Sequence, residues 1–277
     1  MKRMISRSPR LGISMEDAPG RGGYHAPAFA RDDRPLIWAH RGASADAPEN
    51  TCAAFARAVE QGADGIECDV MRCATGELVV CHDARLDRLC GIPVRVADLP
   101  LAELQRLRVL AGRFPGVDAT IPTLEEAVEA AGPHVRWNVE LKVDRHEDAE
   151  PLAREAARAL AALPLEGRVL VSSFHPLALL TLRVAAPALP TAYLWERGRN
   201  GLERTWHAMW GRVTATAALH PPHELVDEAA VRRWHAAGYV VNAWTVDDPE
   251  EMCRLDRAGV DGVITNRPAL ARSVLGG

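Results

Sequence analysis

The sequence is poor in aromatic residues, has no C-x-x-C pair and lacks any long apolar run, and each shortage removes a class of function. Without paired cysteines at metal spacing, a tetrahedral zinc site or a thioredoxin-type redox motif is disfavoured. The six cysteines read mostly as free thiols of a reducing compartment, with a disulfide among the five between Cys52 and Cys90 as the alternative. No stretch approaches the roughly 18 consecutive apolar residues of a membrane helix. The first 34 residues mix Arg, Gly, Pro and Asp without an apolar core, which argues against a conventional signal peptide. They read as a flexible N-terminal extension, and the protein as cytoplasmic. A net charge of −4 gives no general pull toward nucleic acid or anionic membranes.

What is present is material for a large core. The chain has 277 residues, 48% hydrophobic and 25% charged, enough for one globular domain over residues 35–277. From Pro35 onward, short apolar runs rich in branched residues alternate with helical segments, the pattern of a parallel α/β fold. Candidate strands run Leu36 to Ala39, Gly65 to Val70, Arg136 to Leu141, Arg168 to Ser173, Thr191 to Trp195, Ala215 to Leu219, Tyr239 to Thr245 and Val260 to Thr265. Eight strands of this kind predict a TIM (β/α)8 barrel.

The segments between them carry helix ends. Asn50 or Thr51 caps a helix that faces inward through Phe55, Ala58, Val59 and Gly62. Thr123 with Glu126 forms a capping box, and Gly132-Pro133 stops that helix. Leu152, Ala156, Leu160 and Leu163 mark another, and Leu177, Leu180 and Val184 the next. A weaker one lies near Leu202 to Met209. Asp227 and Asp248-Pro249 open two more, with Val231, Trp234, Met252 and Leu255 inward, and a short one follows Pro268.

A ninth apolar run, Leu78 to Cys81, reads as a hairpin return onto the second strand. A two-residue turn at Thr75-Gly76 would set Asp69 opposite His82, with Cβ atoms roughly 4.5–5.5 Å apart. About 40 residues then separate this hairpin from the helix at Thr123, too many for an ordinary connection. Residues 84–120 are therefore expected to form an insertion after the second strand, with one helix around Leu101 to Leu107, beside the catalytic face as a candidate substrate lid.

Alternate residues of a strand share a face, so Glu67 and Asp69 point together, as do Asn138, Glu140 and Lys142. Three hard oxygen donors at strand ends suit one divalent cation, Mg²⁺ or Ca²⁺. Ordinary salt bridges, Glu140 with Lys142 for example, are the plain alternative for each carboxylate alone. The group gains weight from His40 and His82, which end two strand-like runs where barrel enzymes place their chemistry. Arg41 is a candidate phosphate clamp. Phe174 and Trp244 are candidate pocket walls, with core packing an equal alternative. Of the remaining histidines, His134, His146, His207 and His235 fit surface or helix positions, and a structural role is preferred for His175, His220 and His223.

Taken in order, His40-Arg41-Gly42, Pro48-Glu49-Asn50-Thr51, Ala54-Phe55, Gly62-Ala63-Asp64, Ile66-Glu67-Cys68-Asp69-Val70, Val79-Val80-Cys81-His82-Asp83, Glu140-Leu141-Lys142, Ser172-Ser173-Phe174, Trp244-Thr245-Val246 and Gly259 through Thr265 resemble the glycerophosphodiester phosphodiesterase family. The resemblance implies a TIM barrel with a family-specific insertion after the second strand. It implies a metal at the positions matching Glu67, Asp69 and Glu140, and acid–base work by those matching His40 and His82. It further implies hydrolysis of a small-molecule glycerophosphodiester to glycerol 3-phosphate and an alcohol. The family turn usually carries Asp-Gly where Thr75-Gly76 stands, and the family's closing motif often has Asp where Asn266 stands; neither departure touches an expected metal ligand.

On this reading Glu67, Asp69 and Glu140 would hold the cation, Arg41 and Lys142 would meet the phosphate beside it, and His40 would act as base and His82 as acid. Cleavage of lysophospholipids or sphingolipids through a cyclic phosphate is one alternative on the same barrel. A barrel that binds ligands without turnover is another, against which the two histidines and all three carboxylates argue.

Overall fold

The structure, a computed structural model, describes residues 27–110, 112–196, 210–211, 213–214 and 216–276. Eight parallel strands form the barrel: β1 (Leu36–His40), β2 (Gly65–Arg72), β4 (Arg136–Leu141), β5 (Val169–Ser173), β6 (Thr191–Leu194), β7 (Ala218–His220), β8 (Val240–Ala243) and β9 (Gly262–Thr265). β1 pairs with both β2 and β9, which closes the sheet on itself. The molecule is thus a TIM barrel, and each expected strand is present with small shifts at its ends. The helix expected near Leu202 to Met209 lies outside the described residues.

The first barrel helix, α1 (Cys52–Glu60), is capped by Thr51, whose side chain accepts from the Ala54 N–H. Between a further strand, β3 (Leu78–Val80), and the next barrel helix run two short helices, α2 (Asp87–Cys90) and α3 (Leu101–Leu104). Then follow α4 (Leu124–Ala131), α5 (Ala149–Ala162), α6 (Pro176–Ala185), α7 (Glu228–Ala236), α8 (Pro249–Ala258) and α9 (Pro268–Leu275). The capping box of Thr123 and Glu126 opens α4, while Asp227 and Asp248 cap α7 and α8. Each such cap contributes about 1 kcal/mol. No helix among the described residues is long and apolar enough to cross a membrane.

Two expected inward faces are corrected. Helix α6 buries Ala178, Leu179 and Leu182, whereas Leu177 and Val184 are exposed at 38% and 80%. Its sequence is apolar nearly all round, so periodicity alone does not choose a face. In α1, Ala54, Phe55 and Ala58 are buried but Val59 is exposed.

The N-terminal boundary also moves. The stretch before β1 is tied to the barrel through Phe29, Arg31 and Arg34 rather than free: Phe29 is 2% exposed and stacks on Trp38 with ring centroids 6.1 Å apart. It joins Leu170, Ala192, Ala218, Val240 and Ile264 in one apolar cluster. Arg34 clamps Asp64 through two hydrogen bonds of 2.6 and 2.8 Å, and Arg31 pairs with Asp256. A single apolar ring set among Arg, Pro and Asp carries too little pattern to be recognised in advance.

β3 (Leu78–Val80) returns antiparallel on β2, as the hairpin reading predicts, but one residue out of the expected register. Val70 pairs with Val80 and Met71 with Val79, so the residue opposite Asp69 is Cys81, whose N–H donates to the Asp69 carbonyl at 2.9 Å. The cause is the loop. Cys73 N–H closes on the Glu77 carbonyl at 3.1 Å, leaving three residues, Ala74 to Gly76, with Gly76 at φ +102°. A three-residue loop with glycine in the left-handed region shifts the pairing by one relative to a two-residue turn.

Candidate active site

Strand register decides which carboxylates meet. Glu67 and Asp69 alternate along β2 with Ile66 and Cys68, which join the apolar layer under the helices. β4 lies beside β2 with Glu67 against Asn138 and Asp69 against Glu140. One carboxylate oxygen from each of Glu67, Asp69 and Glu140 thereby falls within 4.8 Å of the others, and all three residues are buried.

Three buried carboxylates in that space oppose one another's ionisation. Burial first, then the charges of Asp69 and Glu140, push the Glu67 carboxyl well above its ordinary range. Burial likewise raises Glu140 to about 7 against the pull of Lys142. Burial acts in the same direction on Asp69, but Lys142 and Arg41 outweigh it and hold that carboxyl below the usual range. Lys142 Nζ lies 2.6 Å from Glu140 Oε1 and 3.2 Å from Asp69 Oδ1. Glu67 Oε1 is buried with no hydrogen-bond donor among the described residues. A donor set of three convergent carboxylates, one of them with an orphaned oxygen, fits a divalent cation, because a second positive charge relieves the repulsion Lys142 leaves uncompensated.

The two histidines line one cavity of about 140 Å³ with Arg41, Glu67, Asn138, Glu140, Lys142, Phe174 and Trp244. His40 ends β1, and its Nδ1 lies 2.7 Å from Asn266 Oδ1 while its Nε2 lies 4.0 Å from Glu67 Oε2. The amide of Asn266 is fixed by Asp247: its Nδ2 donates to Asp247 Oδ2 at 2.6 Å and its backbone N–H to Oδ1 at 2.8 Å. A carboxylate only accepts, so Oδ1 of Asn266 must face His40, and His40 must carry its proton on Nδ1. Burial, and after it the Arg41 charge, lowers His40 to about 4, so at neutral pH its Nε2 offers a lone pair.

His82 follows β3 at a bend in the chain, which brings it to the cavity although it has no place in the hairpin ladder. Its Nδ1 meets Asp83 Oδ1 at 2.6 Å, so Nε2 is the ring nitrogen that Asp83 leaves unengaged. Burial lowers its pKa, with the Asp69 charge pulling the other way.

Arg41 has left-handed backbone, φ +57°, as does Asn50 at +56°. Both conformations are held by the site: the Arg41 N–H donates to Glu67 Oε2 at 2.9 Å, and the Asn50 N–H to the Arg41 carbonyl at 2.9 Å. Asn50 Nδ2 in turn donates to Asp69 Oδ2 at 2.7 Å. The next residue, Gly42, has φ +80°, and a Cβ there would sit 2.6 Å from the Ala54 backbone, so the loop lies against α1 only with glycine. The Arg41 guanidinium is already engaged, with Nη1 2.8 Å from Glu49 Oε1 and Nε 3.2 Å from Asp69 Oδ2. Phe174 and Trp244 meet edge to face at 5.6 Å, and Lys142 Nζ lies 5.6 Å from the Phe174 ring centre.

All the expected site residues thus surround one cavity or its carboxylate cluster. Sequence reasoning missed the residues behind them: Asn50, Glu49, Asp83, Asp247 and Asn266. Glu49 and Asn50 carry a signal in the Pro48 to Thr51 stretch, where the capping role belongs to Thr51 and leaves Asn50 for Asp69.

The sequence model of the glycerophosphoryl diester phosphodiesterase family matches residues 40–270. The chain belongs to that family. A glycerophosphodiester phosphodiesterase of Caldanaerobacter subterraneus is 37% identical over 241 residues, covering 85% of this chain and 95% of that protein. A probable glycerophosphodiester phosphodiesterase of Mycobacterium tuberculosis is 34% identical, covering 92% of this chain and 96% of that one. Among solved structures, a phosphodiesterase of Oleispira antarctica in complex with the product sn-glycerol-3-phosphate superimposes with a TM-score of 0.80 at 30% identity, over 90% of this chain and 98% of that chain.

Proposed function

We propose that this family member hydrolyses glycerophosphodiesters to sn-glycerol 3-phosphate and an alcohol with the help of one divalent cation, Mg²⁺ or Ca²⁺. The observation that carries the reading is the convergence of Glu67, Asp69 and Glu140 on one another, with Glu67 and Glu140 lining the cavity that His40 and His82 share. The product bound to the Oleispira relative supports the substrate class.

Glu67, Asp69 and Glu140 would hold the cation, which when bound supplies Lewis-acid polarisation of the phosphoryl group. Arg41 and Lys142 add fixed positive charge where negative charge grows on the phosphoryl oxygens. His40, neutral and with its Nε2 lone pair directed inward, takes the proton of the nucleophile, either water or the neighbouring glycerol hydroxyl. His82, whose imidazolium the Asp83 carboxylate stabilises, returns a proton to the departing alcohol oxygen as the P–O bond breaks. The partner of His40 is a neutral amide, so the two rings are suited to opposite roles. Phe174 and Trp244 form an apolar wall for the organic part of the substrate. The six free cysteines support a reducing, cytoplasmic location.

A panel of glycerophosphodiesters and lysophospholipids, followed by phosphorus NMR, tests this. Glycerol 3-phosphate is the expected product from the former. A cyclic phosphate that accumulates without opening would reassign the reaction as a lyase, and no product from any member would refute the activity.

A further inference from the structure

The residues between β3 and α4 pack on a small core of their own, with Leu86, Leu89, Val96 and Leu104 against Met71, Val79 and Cys81 of the hairpin. From that core the four-residue helix α2 presents Arg88 toward the site. All three nitrogens of its guanidinium are engaged. Nε donates to Asp83 Oδ2 at 2.7 Å, and Nη1 and Nη2 donate to Glu49 Oε2 and Oε1 at 2.7 and 2.8 Å. Each of these carboxylates holds a different working residue: Asp83 Oδ1 meets His82 Nδ1 at 2.6 Å, and Glu49 Oε1 accepts from Arg41 Nη1 at 2.8 Å.

We propose that Arg88 is a positioning residue through which the inserted segment sets the orientation of His82 and of Arg41 together. The proposal rests on the roles given to those two residues above. Glu49 and Asp83 stand on different loops, after β1 and after β3, and one planar fork spans both. A lysine ammonium reaches the same place as a point charge and cannot satisfy a bidentate carboxylate and a second carboxylate in fixed directions. The Arg88 side chain is 47% exposed, so these ion pairs add little to folding stability. What they fix is the direction of two side chains. The segment is then part of the catalytic frame.

Steady-state kinetics with the divalent cation present, alongside thermal melts, test this on Arg88→Met, Arg88→Lys, Asp83→Asn and Glu49→Gln. Loss of a supporting partner of this kind costs about 10- to 100-fold in activity. Asp83→Asn is expected to lower kcat with KM nearly constant, and Glu49→Gln to raise KM. Arg88→Met should do both while melting within a few degrees of the parent, with Arg88→Lys recovering only part of the loss. In the Asp83→Asn background, Arg88→Met should lower kcat much less than it does in the parent, because the two act along one path. Arg88→Met with kcat and KM within twofold of the parent, or an equal loss of kcat in both backgrounds, would overturn the proposal. His82→Ala distinguishes that failure from a failure of the underlying reading. A loss of at least about 10²-fold is expected there, and near-normal turnover would remove His82 from the mechanism and this proposal with it.

Discussion

His40 donates a 2.7 Å hydrogen bond from Nδ1 to Asn266, and the direction of that bond is imposed by Asp247 on the far side of the amide. Asn266→Ala removes the acceptor and frees the ring to flip or change tautomer. The expected result is a fall in kcat of about 10-fold or more with KM little changed. Nitrogen-15 NMR of the imidazole should show loss of the Nδ1-protonated tautomer. A kcat within twofold of the parent, with the tautomer unchanged, would refute the role.

Phe29 offers a test of the packed N-terminal segment. Its ring is 2% exposed against Trp38, so Phe29→Ala leaves a cavity and is expected to destabilise the protein by about 3–5 kcal/mol. Urea unfolding measures this directly. A change below about 0.5 kcal/mol, as for an ordinary surface substitution, would mean the segment is not docked.

His220 sets one part of the pH dependence of stability. The ring is fully buried, with Nε2 3.0 Å from Asn242 Nδ2, and burial lowers it from 6.5 to about 3. Between those values the unfolded chain binds a proton that the folded protein refuses. Stability from this group is therefore complete above 6.5 and falls as the pH drops, by about 1.4 kcal/mol per unit. His220→Gln should flatten the acid limb of the stability curve by roughly that slope relative to the parent. Parallel curves for the two proteins would contradict a neutral, buried His220.

The barrel was legible because two independent signals agree along the chain: branched apolar runs of strand length, and helices opened by Thr51, Thr123, Asp227 and Asp248. The carboxylate cluster was legible because strand alternation alone puts Glu67 beside Asp69 and Asn138 beside Glu140 on one face. The face of α6 was not, since Leu177, Leu179, Leu180, Leu182 and Val184 leave no polar side to contrast. The hairpin register turned on whether the loop held two residues or three, a difference of backbone dihedrals at Gly76 that composition does not display. The supporting shell was hidden for a different reason. Asn266 is 226 residues from His40 in sequence, and Arg88 is 39 from Glu49, so the first partnership exists only once β9 has closed on β1 and the second only once the hairpin is seated beside β1.

The proposed activity depends on a divalent cation held among Glu67, Asp69 and Glu140, whose carboxylate oxygens converge within 4.8 Å. The most direct measurement is glycerol 3-phosphate release from a glycerophosphodiester by the chelator-treated enzyme, before and after addition of Mg²⁺ or Ca²⁺. Turnover should fall to background in EDTA and return with one of the two ions, and should not return for Glu140→Gln. Full activity in the presence of excess chelator would contradict the central claim.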